Sequence, residues 1–190
     1  MLTIKHKTVP YTFRVSDEIL SQVEKEAKDK GISVSGLVGQ IVTKYAKSDR
    51  YFDQLGFLPM SKDVLRKWLN RIDEKFLVED SKELGSTIAR EYISYFFHDV
   101  NKDTLLQFLD LWFSRFDSYQ HKTDGEVHKF AINHDINMKY SLYMKELLRA
   151  LIEPIILKKV EFLELTPNVI SLSFEVRAYD VLDRTHVSTN

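Results

Sequence analysis

YTFRVSDEILSQVEKEAKDKGISVSGLVGQIVTKYAK, residues Tyr11 to Lys47, is the stretch on which the fold turns. Within residues 9–15, Tyr11, Phe13 and Val15 alternate with Pro10, Thr12 and Arg14, the period of a short strand. Ser16 then fits a helix N-cap, and Asp17 and Glu18 complement the positive end of the helix it starts. Ile19, Leu20, Val23 and Ala27 form an apolar stripe. Gly31 suits the left-handed position that ends a helix, and Ser33 the cap of a second one. Leu37, Val38, Ile41, Val42 and Tyr45 line that second helix, and the unit closes near residues 48–50.

A strand followed by two helices cannot stand alone. One strand leaves a row of backbone donors and acceptors unpaired, and about 40 residues bury too little surface for a stable core. Both problems vanish if two copies pair their strands antiparallel across a two-fold axis. Tyr11, Phe13 and Val15 then face a core shared with Leu37 and Ile41, while Pro10, Thr12 and Arg14 face outward. A two-stranded ribbon fits the major groove of DNA, where Arg pairs bidentately with guanine and Thr bonds several bases. Lys5, Lys7 and Arg14 all precede the first acid, Asp17, so this arm is the most basic part of a chain with net charge −1. The free N–H groups at Ser33, Val34 and Ser35 form an anion site suited to a phosphate. Gly36 and Gly39 each cost the second helix about 1 kcal/mol relative to Ala, which close approach of a phosphate or a partner helix would explain.

Tyr11 to Lys47 resembles ribbon-helix-helix DNA-binding domains of the Arc/MetJ/CopG type. The resemblance lies in the alternating strand, the Ser-Asp-Glu helix start, Ala27 to Gly31, the G-x-S-x-S of Gly31 to Ser35, and the apolar second helix. It implies an intertwined homodimer whose Thr12 and Arg14 read bases, with Pro10 at the third outward position. It also implies that Ser33, Val34 and Ser35 contact the DNA backbone; Lys5 and Lys7 are candidates for further phosphate contacts. Two positions depart from the family: Pro10 has no side-chain donor or acceptor, and Val34 stands where many members are polar or basic. The resemblance covers about a quarter of the chain.

The remaining sequence predicts a connector over 51–60 and a mixed α+β domain over 61–178, followed by a loose tail, 179–190. Helices are expected from Ser61 to about Val78, from Ser81 to about His98 and from about Asp103 to Tyr119. A strand over Glu126–Asn133, a helix from Asn137 ended by Pro154, and a hairpin of 159–165 with 169–176 complete it. The fold class is α+β, with a small antiparallel sheet behind the ribbon-helix-helix unit.

The chain has no cysteine, which removes disulfides and thiolate metal sites and fits a reducing compartment. No apolar run is long enough to span a membrane, so a cytoplasmic protein with no membrane partner is expected. His121, His128 and His134, with Asp99 and Asp135, match no metal-ligand spacing, and no metal or cofactor is assigned. Asp135 and Asn137 are candidates for capping the helix that follows. Trp112, Phe113 and Phe116 fit core packing or the wall of a ligand pocket. No phosphate loop, nucleophile elbow or metalloprotease motif is present, so no catalysis is expected.

These features predict a transcriptional regulator, a repressor by family habit, acting on double-stranded DNA as a homodimer or a higher oligomer. Its second domain would sense a ligand or oligomerise. The alternative is an antitoxin-type or protein-interaction module, in which the ribbon chiefly dimerises and the C-terminal domain binds a protein.

Overall fold

The computed structural model describes residues 9–176, and the chain divides into two compact units, Met1–Gly56 and Phe57–Asn190. It is an α+β protein. In the first unit, α1 (Asp17–Asp29) and α2 (Val34–Lys44) are followed without interruption by a π-helical turn, Tyr45–Asp49, and a short α3, Arg50–Gln54. Ser16 Oγ accepts from Ile19 N–H at 3.4 Å and Ser33 Oγ from Gly36 N–H at 3.0 Å, so both predicted caps form. Gly31 takes φ +64° between the helices. Helical structure thus runs on through Gln54, past the predicted end near 48–50 and into the 51–60 stretch read as a connector. Phe52 on α3 is buried, at 2% exposure.

Residues 9–15 form no strand in the single chain. The physical reason is the one the sequence raised: among the described residues the first strand lies at Ser118–Asp124, so the described part of the first unit holds no strand for residues 9–15 to pair with.

The second unit opens with α4 (Lys62–Arg71), α5 (Glu74–Ser86), α6 (Ile88–Phe97) and α7 (Lys102–Phe113). The helix expected over 61–78 breaks at Ile72, where the backbone turns extended and Asp73 caps a new helix by accepting from Lys75 N–H at 2.8 Å. Lys139 Nζ then satisfies the exposed α4 carbonyls of Asn70 and Ile72 at 3.3 and 2.5 Å. Ser81, expected to start a helix, is fully buried inside α5 and donates to Val78 O at 2.9 Å. The break falls instead at Thr87, whose hydroxyl bonds back to Glu83 O at 2.7 Å.

The sheet has order β1-β2-β4-β3, every neighbour antiparallel, from β1 (Ser118–Asp124), β2 (Val127–Asn133), β3 (Glu161–Leu165) and β4 (Val169–Glu175). Two hairpins are joined by α8, Met138–Ile156. β2 and the β3–β4 hairpin stand where the sequence placed them. β1 replaces the last turns of the helix predicted to reach Tyr119, because α7 ends at Phe113. Pro154 does not end α8: it sits in the last turn, and Leu157, at φ 57°, terminates the helix.

Period-2 alternation divides the sheet into two faces. Phe130, Ile132, Ile170, Leu172 and Phe174 point to one face and are buried against Ile93, Leu105, Leu109, Leu148 and Ile152 of the helices. Trp112 and Phe113 belong to the same aromatic chain, with ring centroids 5.5 Å apart, and Phe113 lies 5.6 Å from Phe130. Core packing therefore accounts for them. Gly85 marks the tightest approach: a Cβ there would lie 2.3 Å from Leu147 O and 3.0 Å from Ala150 Cβ, so α5 meets α8 backbone to backbone.

Candidate nucleic-acid interface

Ser16, the cap of α1, has extended backbone geometry, φ −68° and ψ 154°, and begins the helix that follows residues 9–15. Along that segment Pro10, Thr12 and Arg14 are exposed, as the DNA-reading role requires. Tyr11, Phe13 and Val15 are exposed too, at 87%, 51% and 46%. The expected division into an inward and an outward set is therefore not seen: both sets are exposed. The same holds for the helices. Leu37 is buried, but Ile41, assigned to the dimer core, is 49% exposed beside Val42 and Tyr45.

At the start of α2, Ser33 and Ser35 are exposed and Val34 is half-buried. Ser33 spends its hydroxyl on Gly36 N–H, leaving the neighbouring backbone N–H groups directed out of the helix end. A Cβ on Gly39 would meet nothing within 4 Å, so no group of this chain demands glycine there. At Gly36 the nearest group is the capping Ser33 Oγ itself, at 3.0 Å. Lys5 and Lys7 lie outside the described residues.

The second unit holds two polar clusters that sequence spacing did not group. In the first, Asp110 on α7 accepts from His121 Nδ1–H at 2.9 Å, and His121 Nε2 lies 2.9 Å from His128 Nδ1. With Nδ1–H committed to the carboxylate, the neutral pair has His128 Nδ1–H donating to His121 Nε2. His121 stacks on Phe130, centroids 3.9 Å apart. Burial lowers the His128 pKa below its ordinary value, neighbouring His121 adds to this, and Asp110 opposes it. Burial and Asp110 together raise the Tyr119 pKa. The cluster lies on the core-facing side of β1, where His121 is polar yet finds two partners.

The second cluster centres on His134, 1% exposed. Its Nδ1 accepts from Ile136 N–H at 3.1 Å, so the proton sits on Nε2, which donates to Ser141 Oγ at 2.9 Å. Ser141 in turn donates to Thr166 O at 2.5 Å. Burial, reinforced by Lys62 and opposed by Asp135, depresses the His134 pKa to about 4. Asp135 is not the cap of α8; Asn137 is, accepting from Tyr140 N–H at 2.9 Å. Arg66 instead holds the junction by donating to the carbonyls of Asp135 and Ile136. Asp99 serves locally, bonding Val100 N–H and the Asn101 amide ahead of α7.

Among the described residues, no group of three or more His, Asp and Glu side chains is placed to hold a metal ion. No described helix is long and apolar enough to cross a membrane. No protein-family model, no curated protein and no solved structure matches this chain.

Proposed function

We propose that this protein is a sequence-specific regulator that binds double-stranded DNA as a homodimer of ribbon-helix-helix units. The observation that carries this reading is the combination of a segment that joins no helix or strand, residues 9–15, with helices whose apolar side chains remain open. Tyr11, Phe13 and Val15 along the segment, and Ile19, Leu20, Ile41, Val42 and Tyr45 on the helices, are all exposed. A soluble unit does not leave that much apolar surface in water without a use for it. A second copy supplies both the missing strand and the cover for these side chains.

On this reading Thr12 and Arg14 lie on the outer face of the paired strands and read base edges in the major groove, with Pro10 beside them. The N-termini of the two α2 helices, at Ser33, Val34 and Ser35, anchor flanking phosphates. Lys5 and Lys7 add charge to the same contact. Affinity then falls steeply with salt, as counterions are released from each neutralised phosphate. The second unit serves oligomerisation or sensing.

The test is selection of genomic fragments on the purified protein, followed by footprinting with wild type and Arg14→Ala. A short symmetric or tandem footprint that Arg14→Ala abolishes or blurs is expected. No enrichment at low salt sinks the regulator reading; a footprint unchanged by Arg14→Ala moves base reading to other residues.

A further inference from the structure

The sheet of the second unit buries one face under helices; on the other, Gln120, Lys122, Lys129, Glu161 and Glu164 are exposed, while the small Ser173 among them is buried. Its registers place that second face in rows. Lys122, Lys129, Ser173 and Glu161 form one row across β1, β2, β4 and β3; Gln120, Ala131, Ser171 and Glu164 form the next. Two features of these rows are poor choices for a solvated face. Lys122 and Lys129 stand directly opposite each other, an arrangement that destabilises a strand pair. The centre carries Ala and Ser, where β-branched or aromatic residues would favour the strands.

The charges are also segregated. Both lysines lie on the β1–β2 side and both glutamates, Glu161 and Glu164, on β3 at the opposite edge. None of the four forms an ion pair among the described residues. Glu175, one row further, pairs with Lys158, and Asp124 lies in the same row two strands away, across Val127.

We propose that this face packs against the same face of a second copy. A two-fold axis running along the strands, between β2 and β4, lays β1 over the partner's β3 and β2 over the partner's β4. Rotation about such an axis does not change position along the strand, so the rows stay matched. Lys122 meets the partner's Glu161, and by symmetry Glu161 meets the partner's Lys122. Gln120 meets the partner's Glu164, while Lys129 lies over the partner's Ser173, next to Glu161. Ala131 and Ser171 meet at the centre, where small side chains let two sheets approach to about 10 Å. The alternative two-fold, perpendicular to the strands, would lay each strand over its own copy and forgo the Lys122–Glu161 pairing. This interface is isologous, built by one patch used twice, and it does not depend on the ribbon.

The full-length chain has no cysteine, so Ser171→Cys gives a single reporter close to the proposed axis. A bis-maleimide reagent spanning about 10 Å, the inter-sheet distance, is expected to link two copies at low micromolar protein. Adding Lys122→Glu should raise the concentration needed for half cross-linking by about tenfold or more, since it turns both symmetric attractions into repulsions. Restoring opposite charge with Lys122→Glu plus Glu161→Lys should recover most of that loss. Absence of a linked pair, or linking indifferent to both charge changes, overturns the proposal. A ribbon dimer lacking this interface gives no charge-dependent link at residue 171, so failure here leaves the DNA-binding reading standing.

Discussion

The two units solve the problem of burying apolar surface in opposite ways. In the second, seventeen buried side chains from helices and sheet form one cluster, with further aromatics packed around it. In the first, the buried apolar side chains are Ala27, Leu37 and Phe52, while residues as large as Tyr11 and Phe13 stand in solvent. Both have ordinary amphipathic sequences. The difference lies in how much of its apolar surface each unit buries within this chain. On the proposed function, a second copy supplies the missing cover for the first.

The largest expected effect breaks that comparison directly. Phe13→Glu places a charge on the shared face of the proposed ribbon and should reduce specific DNA affinity about a thousandfold, to the non-specific level. It should leave the unfolding transition of the second unit where it was. Titration of a footprinted fragment, alongside a denaturant melt, checks both statements. A shifted melt would mean that residues 9–15 are supported by the second unit rather than by another copy.

Next comes the buried imidazole. His134 has its pKa depressed from about 6.5 to about 4 in the folded chain, so the unfolded chain binds more protons between these values. Stability is therefore full above about pH 6.5 and is lost as pH falls toward 4, by on the order of 3 kcal/mol. Melting of wild type and His134→Ala at pH 7 and pH 4.5 should show the wild type losing more on acidification. Equal losses would remove His134 as the titrating group.

Gly85→Ala should cost about 2 kcal/mol, because the new methyl meets the Leu147 carbonyl and α8 must move. Urea unfolding at neutral pH measures it. A neutral result would mean that α5 and α8 are further apart than described. The smallest effect expected is Ser33→Ala, which removes the cap of α2 at about 1 kcal/mol. On the proposed function it also weakens DNA binding uniformly across sequences, since it disturbs a phosphate anchor and not a base reader.

Much of the fold was legible. Ser16, Ser33 and Ser61 were readable as caps because a short hydroxyl side chain ahead of an apolar stripe has few other uses, and each accepts the predicted backbone N–H. The β3–β4 hairpin was readable from alternation around Thr166-Pro167-Asn168. β1 was not, because its inward residues are Tyr119, His121 and Thr123, and polar residues face a core only when partners wait there. Asp110 and His128 are those partners, eleven and seven residues away in sequence. The breaks at Ile72 and Thr87 were hidden for a related reason. The carbonyls freed at Ile72 are satisfied by Lys139, from a helix almost seventy residues later.

The candidate interface divides along the same line. Pro10, Thr12 and Arg14 were singled out by period alone, and their exposure follows from local geometry. Tyr11, Phe13, Val15 and Ile41, expected to face a core, are exposed; their core-facing role rests on the proposed dimer.

The sequence by itself determined what is short-ranged: helix starts, the strand period, the turn of the hairpin and the absence of thiol chemistry. Caps and alternation act over a few residues, so their energetics are written in neighbouring letters. Tertiary structure alone decided which polar residues are buried, where α5 touches α8, and how Lys122, Lys129, Glu161 and Glu164 share one face. Those outcomes depend on what lies across a sheet or between helices, and strand register, not sequence distance, sets them.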